Sequence, residues 1–230
     1  ACMIGSEVIT IDGLVGSGKS TTARILAKKL NFRHLDTGAM YRVVALAASQ
    51  SHICPDNDTE LKKLLEDLNI ELVSNVGSDI VVLNGDDVSE LIRKPEISRI
   101  VGSFADKSIV RSFLVQRQRA MGKSGKIVAE GRDMASIVFP DADLKFRMVA
   151  NLSERSRRRH SELLSKGIKV EYLTVKEDIE RRDLEDATRD YGDVFSIDDV
   201  LEIDTSESAI EDQVENIFAL ILSRREKIKR

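Results

Sequence analysis

The segment Gly13-Leu14-Val15-Gly16-Ser17-Gly18-Lys19-Ser20 fits the phosphate-loop pattern G-x-x-x-x-G-K-[ST]. Gly16 and Gly18 let the backbone turn through conformations that a side chain would obstruct. The N–H groups so freed point at anionic oxygens from a helix N-terminus, which itself favours negative charge. Lys19 brings a positive charge to the β- and γ-phosphates, and the Ser20 hydroxyl is placed to ligate Mg²⁺. Thr21 completes the expected nucleotide-binding set, which begins at Gly13. This spacing implies binding of a nucleoside triphosphate and phosphoryl transfer from it. It does not say what receives the phosphoryl group.

Two classes of nucleotide-binding protein compete: a kinase, and a nucleotide switch or motor. The guanine motif Asn-Lys-x-Asp is absent, and so is a Leu-Ser-Gly-Gly-Gln-like transporter signature. A small kinase must neutralise two anionic substrates and needs several arginines on mobile elements. They occur at four places. Asp36-Thr37-Gly38-Ala39-Met40-Tyr41-Arg42 places Thr37 as a helix N-cap and Arg42 just inside the helix. Glu130-Gly131-Arg132-Asp133 ends a strand, where open α/β sheets bind ligands, and Gly131 permits close approach. Arg155, Arg157, Arg158 and Arg159 crowd one helix, with 155, 158 and 159 on one face and 157 pointing away. Arg182, Asp186 and Arg189 lie at i, i+4 and i+7. Each has a plainer reading taken singly: a surface arginine, a loop ion pair, a solvated basic face, a ladder worth about 0.3–0.5 kcal/mol per pair.

The elements that must position these groups are legible in outline. Val8-Ile9-Thr10-Ile11 is a β-branched run that reads as a buried strand before the loop. Residues 19–30 read as a helix, 32–35 as a strand and 40–49 as a helix. From about 55 to 108 the pattern changes. Leu61, Leu64, Leu65 and Leu68 mark a helix, and Ile70, Leu72 and the 80–83 run lead to Asn84-Gly85, a tight-turn signal. Such a turn does not belong in a parallel crossover, so a small antiparallel sheet is expected there. Strands follow at 127–129, 144–150 and 200–203, with helices at 153–166, 175–189 and 209–222. The expected fold is a three-layer α/β domain with a parallel core sheet of five strands.

The 230 residues suit one such domain, and 42% hydrophobic content can build its core. A net charge of −4 with mixed signs argues against a nucleic-acid coat or a polybasic membrane surface. No apolar run approaches the roughly 18 residues that span a bilayer. The N-terminal six residues lack a basic-then-apolar signal pattern. Cys2 and Cys54 stand alone with no CxxC spacing, which suggests a reducing, cytoplasmic setting, and His34, His52 and His160 have no metal-ligand spacing, which argues against a structural zinc site.

Along almost its whole length the chain resembles the bacterial cytidylate (CMP) kinases. The resemblance rests on Ile11-Asp12-Gly13, Leu35 to Arg42, Val110-Arg111 with Gln116-Arg117-Gln118-Arg119, Gly131-Arg132-Asp133 followed by Val138-Phe139-Pro140-Asp141-Ala142, and Arg182-Asp183-x-x-Asp186-x-x-Arg189. It implies a P-loop kinase with a core at about 1–35, 109–150 and 190–230. A region for the nucleoside monophosphate, with its β insert, would occupy about 36–108, and an arginine-rich helical lid about 151–189. It implies that Tyr41, Arg42, Arg132 and Arg189 hold the CMP phosphate and that Arg182 and Asp186 contact the ribose. Arg111 and Asp133 would contact cytosine. Thr37 joins the expected substrate set. Lys19, Arg132, Arg189 and the lid residues Arg155 and Arg159 would be catalytic. The expected reaction is phosphorylation of CMP or dCMP by ATP with Mg²⁺ held at Ser20. A cytoplasmic monomer is expected, with no nucleic-acid or membrane partner. The chain departs from the family at Gly102, where a serine usually meets the base and where neighbouring Ser103 would have to substitute. It departs also at Glu130, often Asp, and at Met134-Ala135-Ser136. A kinase for another nucleoside monophosphate and a non-catalytic nucleotide-binding module remain alternatives.

Overall fold

The computed structural model describes residues 7–74, 79–189, 197 and 199–229. Expectations for the N-terminal six residues, Cys2 included, and for the core at 190–196 and 198 lie outside these residues.

Five strands form one parallel sheet: β1 (Val8–Gly13), β2 (Arg33–Asp36), β6 (Ile127–Gly131), β7 (Leu144–Val149) and β8 (Val200–Asp204). Their spatial order is β2-β6-β1-β7-β8. Alternation along each strand divides the core between the two sheet faces. Ile9, Ile11, Val128 and Phe146 pack with α1 (Lys19–Leu30) and α8 (Ile210–Lys229). Leu35, Ile127 and Ala129 pack with α2 (Thr37–Gln50) and α5 (Ser108–Gly122). Helices therefore cover both faces, as the three-layer expectation requires.

Register brings the chemistry to one edge. Ile11 aligns with Glu130, Asp12 with Gly131, Gly13 with Met148 and Asp36 with Glu130. The phosphate loop, Asp36 and Glu130 thus emerge together at the carboxyl ends of neighbouring strands, where α/β sheets bind ligands.

The expected insert follows α3 (Asp58–Glu66) as a three-stranded antiparallel sheet of β3 (Ile70–Ser74), β4 (Asp79–Leu83) and β5 (Asp86–Asp87). Asn84 and Gly85 turn the last hairpin with φ of 50° and 96°, the left-handed pair that a tight hairpin uses. Among the described residues the insert has no core of its own. Ile70, Val81 and Leu83 belong to the cluster that contains Leu35 and Ala129.

Two helices were not expected from the sequence, although the apolar residues Ile97, Ile100, Val101 and Phe104 of the first recur at i, i+3, i+4 and i+7, a helical period. α4 (Pro95–Ala105) opens with proline at its first position and buries Ile97 and Phe104. α5 buries Val110 and Leu114 among basic and polar neighbours that blur its period. A single π-helical turn at Met134–Val138 also lacked a signal. One cap is corrected. Asp36, not Thr37, caps α2, its carboxylate accepting from Ala39 N at 2.9 Å. Thr37 is the first helical residue, and its hydroxyl donates to the Glu130 carbonyl at 2.7 Å, tying α2 to β6. α6 (Leu152–Ser165) and α7 (Tyr172–Thr188) pack together as a helical pair.

β2 meets the insert through His34, whose Nδ1 lies 2.5 Å from Asp79 Oδ2. Burial opposes charge on this imidazole, but the Asp79 hydrogen bond and the nearby Glu130, Asp36 and Asp79 carboxylates prevail and raise its pKa. A raised folded-state pKa stabilises most below the unfolded value, about 6.5, and loses that contribution as pH rises through the folded pKa. Urea unfolding of wild type and His34→Gln should therefore show a stability gap that is widest near pH 6 and narrows toward pH 9. A gap that widens with pH would refute the ion-pair account.

Candidate active site

A cleft of about 930 Å³ opens over the carboxyl ends of β1, β2 and β6. Gly16 and Gly18 take φ of 79° and 89°, left-handed conformations that only glycine adopts without strain. Gly18 serves as the N-cap of α1 with no side-chain partner, so the loop N–H groups stay directed at the cleft. Val15, Gly16, Gly18, Lys19, Ser20 and Thr21 line it. Gly13 and Ser17 frame the loop from behind, and Leu14 is exposed. The Ser17 carbonyl accepts from the Thr205 hydroxyl at 2.9 Å, which anchors the loop to the end of β8.

Lys19 is nearly buried, with Nζ 3.8 Å from Glu130 Oε2. Burial, reinforced by the Arg132 cation, lowers its pKa to about 8. Burial and then the Asp36 carboxylate raise the Glu130 pKa, while Lys19 and a hydrogen bond from Ser20 oppose the rise. This arrangement joins one cation and two carboxylates under the phosphate loop. Glu130 had no sequence signal beyond its place before Gly-Arg-Asp. Asp12 was also missed as a functional group. Its buried carboxylate accepts from Met134 N and Ala135 N, both at 2.9 Å, and so holds the π-helical turn against β1. Burial raises its pKa to about 6.

The expected acceptor-side residues converge opposite the loop. Tyr41, Arg42, Arg111, Arg132, Asp133, Arg182, Asp186 and Arg189 line the cleft together with Thr37. Gly131 allows the approach of Thr37, for a Cβ there would stand 2.7 Å from the Thr37 hydroxyl. Asp186 accepts from Arg132 Nε at 2.9 Å and from Arg189 Nη1 at 2.7 Å, so one carboxylate gathers two guanidiniums. Arg132 also donates to the Gly13 carbonyl, and Arg189 reaches Asp106 beyond α4. Arg42 donates to Ser98 Oγ at 2.7 Å, and Arg182 to the Ser98 carbonyl at 3.2 Å. Burial, with Arg182 nearby, lowers the Arg42 pKa to about 10. Arg111 and Asp133 pair with each other at 3.0 Å. Burial raises the Asp133 pKa despite the Arg111 cation.

Three placements depart from expectation. Ser103 is exposed and does not line the cleft, whereas Gly102 does. A Cβ at Gly102 would stand 3.0 Å from Arg189 Nη2, so the missing side chain leaves room for that guanidinium. Arg155 is 5% exposed and does not line the cleft. It pairs with Asp183 on α7 at 2.6 and 3.0 Å. Arg157, expected to point away, stands at the rim with its side chain 66% exposed. The reason is that α6 presents its first turn to the loop backbone, which rotates 155 inward. Arg159 lines the cleft and pairs with Glu162 at 2.7 Å. Arg158 braces the loop, donating to the Ser17 and Thr205 carbonyls. The crowded cations are thus neutralised largely by carboxylates of their own helices. Residues 208–210, before and at the start of α8, form a further wall near the loop that had no sequence signal.

Comparison with known proteins converges on the same group. The family model for cytidylate kinase matches residues 9–223. The cytidylate kinase of Geobacter sulfurreducens is 41% identical over 217 residues, covering 94% of this chain and 93% of that protein. That of Bacillus cereus strain B4264 is 39% identical, covering 93% and 95%. Among solved structures, an uncharacterized protein from Eubacterium ventriosum aligns with a TM-score of 0.51 at 13% identity, covering 95% of this chain and 99% of its own. That likeness concerns the fold alone. The phosphate loop, the arginines facing it and a family match spanning nearly the whole chain agree: this protein belongs to the cytidylate kinase family.

Proposed function

We propose that this cleft carries out ATP-dependent phosphorylation of CMP to CDP, with dCMP as a second acceptor. The observation that carries the reading is the convergence of Arg42, Arg132, Arg182 and Arg189 opposite a glycine-rich loop that ends in Lys19. One anion-binding end takes the donor triphosphate, and the other takes the acceptor phosphate. The residue ranges fit a core, an acceptor region at about 36–108 and a lid at about 151–189.

In-line transfer to a phosphate oxygen requires little general-base assistance, because that oxygen is already anionic near neutral pH. The protein's task is alignment and neutralisation of charge. Lys19 and the loop N–H groups hold the donor. Arg132 and Arg189, gathered by Asp186, stand ready to exchange that carboxylate for phosphate oxygens. Tyr41 and Arg42 hold the acceptor from α2, and Arg182 and Asp186 suit a ribose. Arg159 closes from the lid, and closure excludes water from the donor. The Ser20 hydroxyl with the Asp36 and Glu130 carboxylates is a hard-oxygen donor set that fits Mg²⁺ bound partly by protein and partly by phosphates. The metal would supply neutralisation of charge on the phosphates.

Arg111 and Asp133 form the candidate base-reading pair. Cytosine presents an N4 donor beside two acceptors, so the carboxylate can accept from N4 while Arg111 donates. Uracil would turn O4 toward the carboxylate, and such a buried mismatch costs roughly 1–3 kcal/mol. A monomer suffices, since one chain supplies the loop and every facing arginine. The exposed, unpaired Cys54 and the nucleotide substrates fit a cytoplasmic setting.

Turnover measured by ADP release should be fastest with CMP or dCMP; faster turnover on UMP or AMP would overturn the assignment. Lys19→Ala should lower kcat by about 10²–10³ while circular dichroism remains native. Lys19 must be charged to act, and its pKa in the free protein is about 8. The value of kcat/KM for ATP should therefore fall as pH rises through about 8, because that parameter reports the free enzyme. Lys19→Arg, which cannot lose its proton in this range, should remove that limb; retention of the limb would assign it to another group.

A further inference from the structure

Two ion pairs leave α7 for the phosphate loop. In one, Asp186 holds Arg132, and Arg132 donates to the Gly13 carbonyl. In the other, Asp183 holds Arg155 through both guanidinium nitrogens at 3.0 and 2.6 Å, and Arg155 donates to the Val15 carbonyl at 3.3 Å. Arg155 is fixed further by donation to the Ala150 carbonyl at 3.0 Å. Its own backbone closes on the loop, since a Cβ at Gly16 would stand 2.7 Å from the Arg155 carbonyl oxygen. The same helix carries Arg182 and Arg189, which reach α4 at the Ser98 carbonyl and at Asp106.

We propose that Asp183 and Arg155 are positioning residues that transmit acceptor binding on α7 to the donor loop at Val15 and Gly16, so that each nucleotide raises the affinity for the other. Three features support this assignment. Arg155 is nearly closed to water and Asp183 partly covered, with side-chain exposure of 7% and 23%, so salt screens the pair less than an exposed one. The bidentate fork fixes direction as well as distance. Its far end is a loop carbonyl rather than a ligand, so Arg155 does not compete with other arginines for phosphate. The Asp186 tether must exchange partners when the acceptor arrives, because Asp186 and Arg132 both face the cleft. The Asp183 tether lies behind the loop and survives that exchange. A shift of α7 then has a direct path to the phosphate loop through the ion pair that persists while the Asp186 pair changes partners.

The inference rests on the proposed CMP kinase reading. Its test is binding of a non-hydrolysable ATP analogue to the full chain by calorimetry, with and without saturating CMP. Wild type should bind the analogue about fivefold or more tightly with CMP present, the usual lower range of coupling between sites. Asp183→Asn should bring the ratio within about twofold of unity while the affinity for CMP alone stays near wild type. Arg155→Lys, which keeps the charge but loses the fork, should lower the ratio in the same direction. Ile179→Val, a buried substitution on the same helix, supplies a control that lowers stability without touching either tether, and its ratio should match wild type. If Asp183→Asn does not fold, Arg155→Lys decides. A wild-type ratio near one, or an unchanged ratio in the tether variants, overturns the inference. Failure of wild type to bind CMP at all would instead overturn the acceptor assignment.

Discussion

Like charges brought close together in one cleft are the constraint on which this structure depends. Lys19, Arg42, Arg132, Arg182 and Arg189 all face one cleft. Without a ligand their repulsion has to be offset by the protein itself. The structure does so with carboxylates placed one per junction: Glu130 by Lys19, Asp186 between Arg132 and Arg189, Asp178 by Arg182. Lys19 remains uneasy even so, with a pKa lowered to about 8. An arriving phosphate meets a field already arranged for negative charge, and the reorganisation required is a change of partners rather than a change of fold.

The frame follows from that need. Parallel register aligns Asp12, Glu130 and Asp36 at one sheet edge, where short-range contacts link them to the loop. Asp12 fixes the π-helical turn, and the Thr37 hydroxyl fixes the start of α2. Each is a hydrogen bond between segments far apart in sequence. The loss of any one would leave a buried polar group unsatisfied, at roughly 1–3 kcal/mol.

Much of this was legible from residues alone, and the reason is local. The phosphate loop declares itself through glycine and lysine spacing, and the Asn84-Gly85 hairpin through turn chemistry. Of the core strands, β1 and β6 show as apolar runs and β7 as an alternation, whereas β2 and β8 are marked by the Asp-Thr pairs that end them. What was not legible depends on contacts between distant elements. The burial of Arg155 follows from the approach of α6 to Gly16, which no helical wheel contains. Asp36 displaced Thr37 as a cap because both residue types serve that role and only geometry chooses between them. α5 hid because Val110 and Leu114 stand among Arg111, Gln116, Arg117 and Arg119, cleft and surface residues that interrupt its apolar period. Ser103 was the sequence neighbour of the expected position, but one residue along a helix is a turn of about 100°, enough to face solvent.

The insert shares its buried cluster with the central sheet, whereas α6 and α7 contribute to neither main cluster and bury chiefly Val175, Ile179, Arg155 and Ser156. The chain therefore divides by cooperativity differently than it divides by topology. The acceptor region and the sheet open together as one high-energy unit, while the helical pair is held mostly by ionic contacts and can open alone. Amide protons in α6 and α7 then exchange with solvent through a low-energy event that leaves β3 to β5 protected.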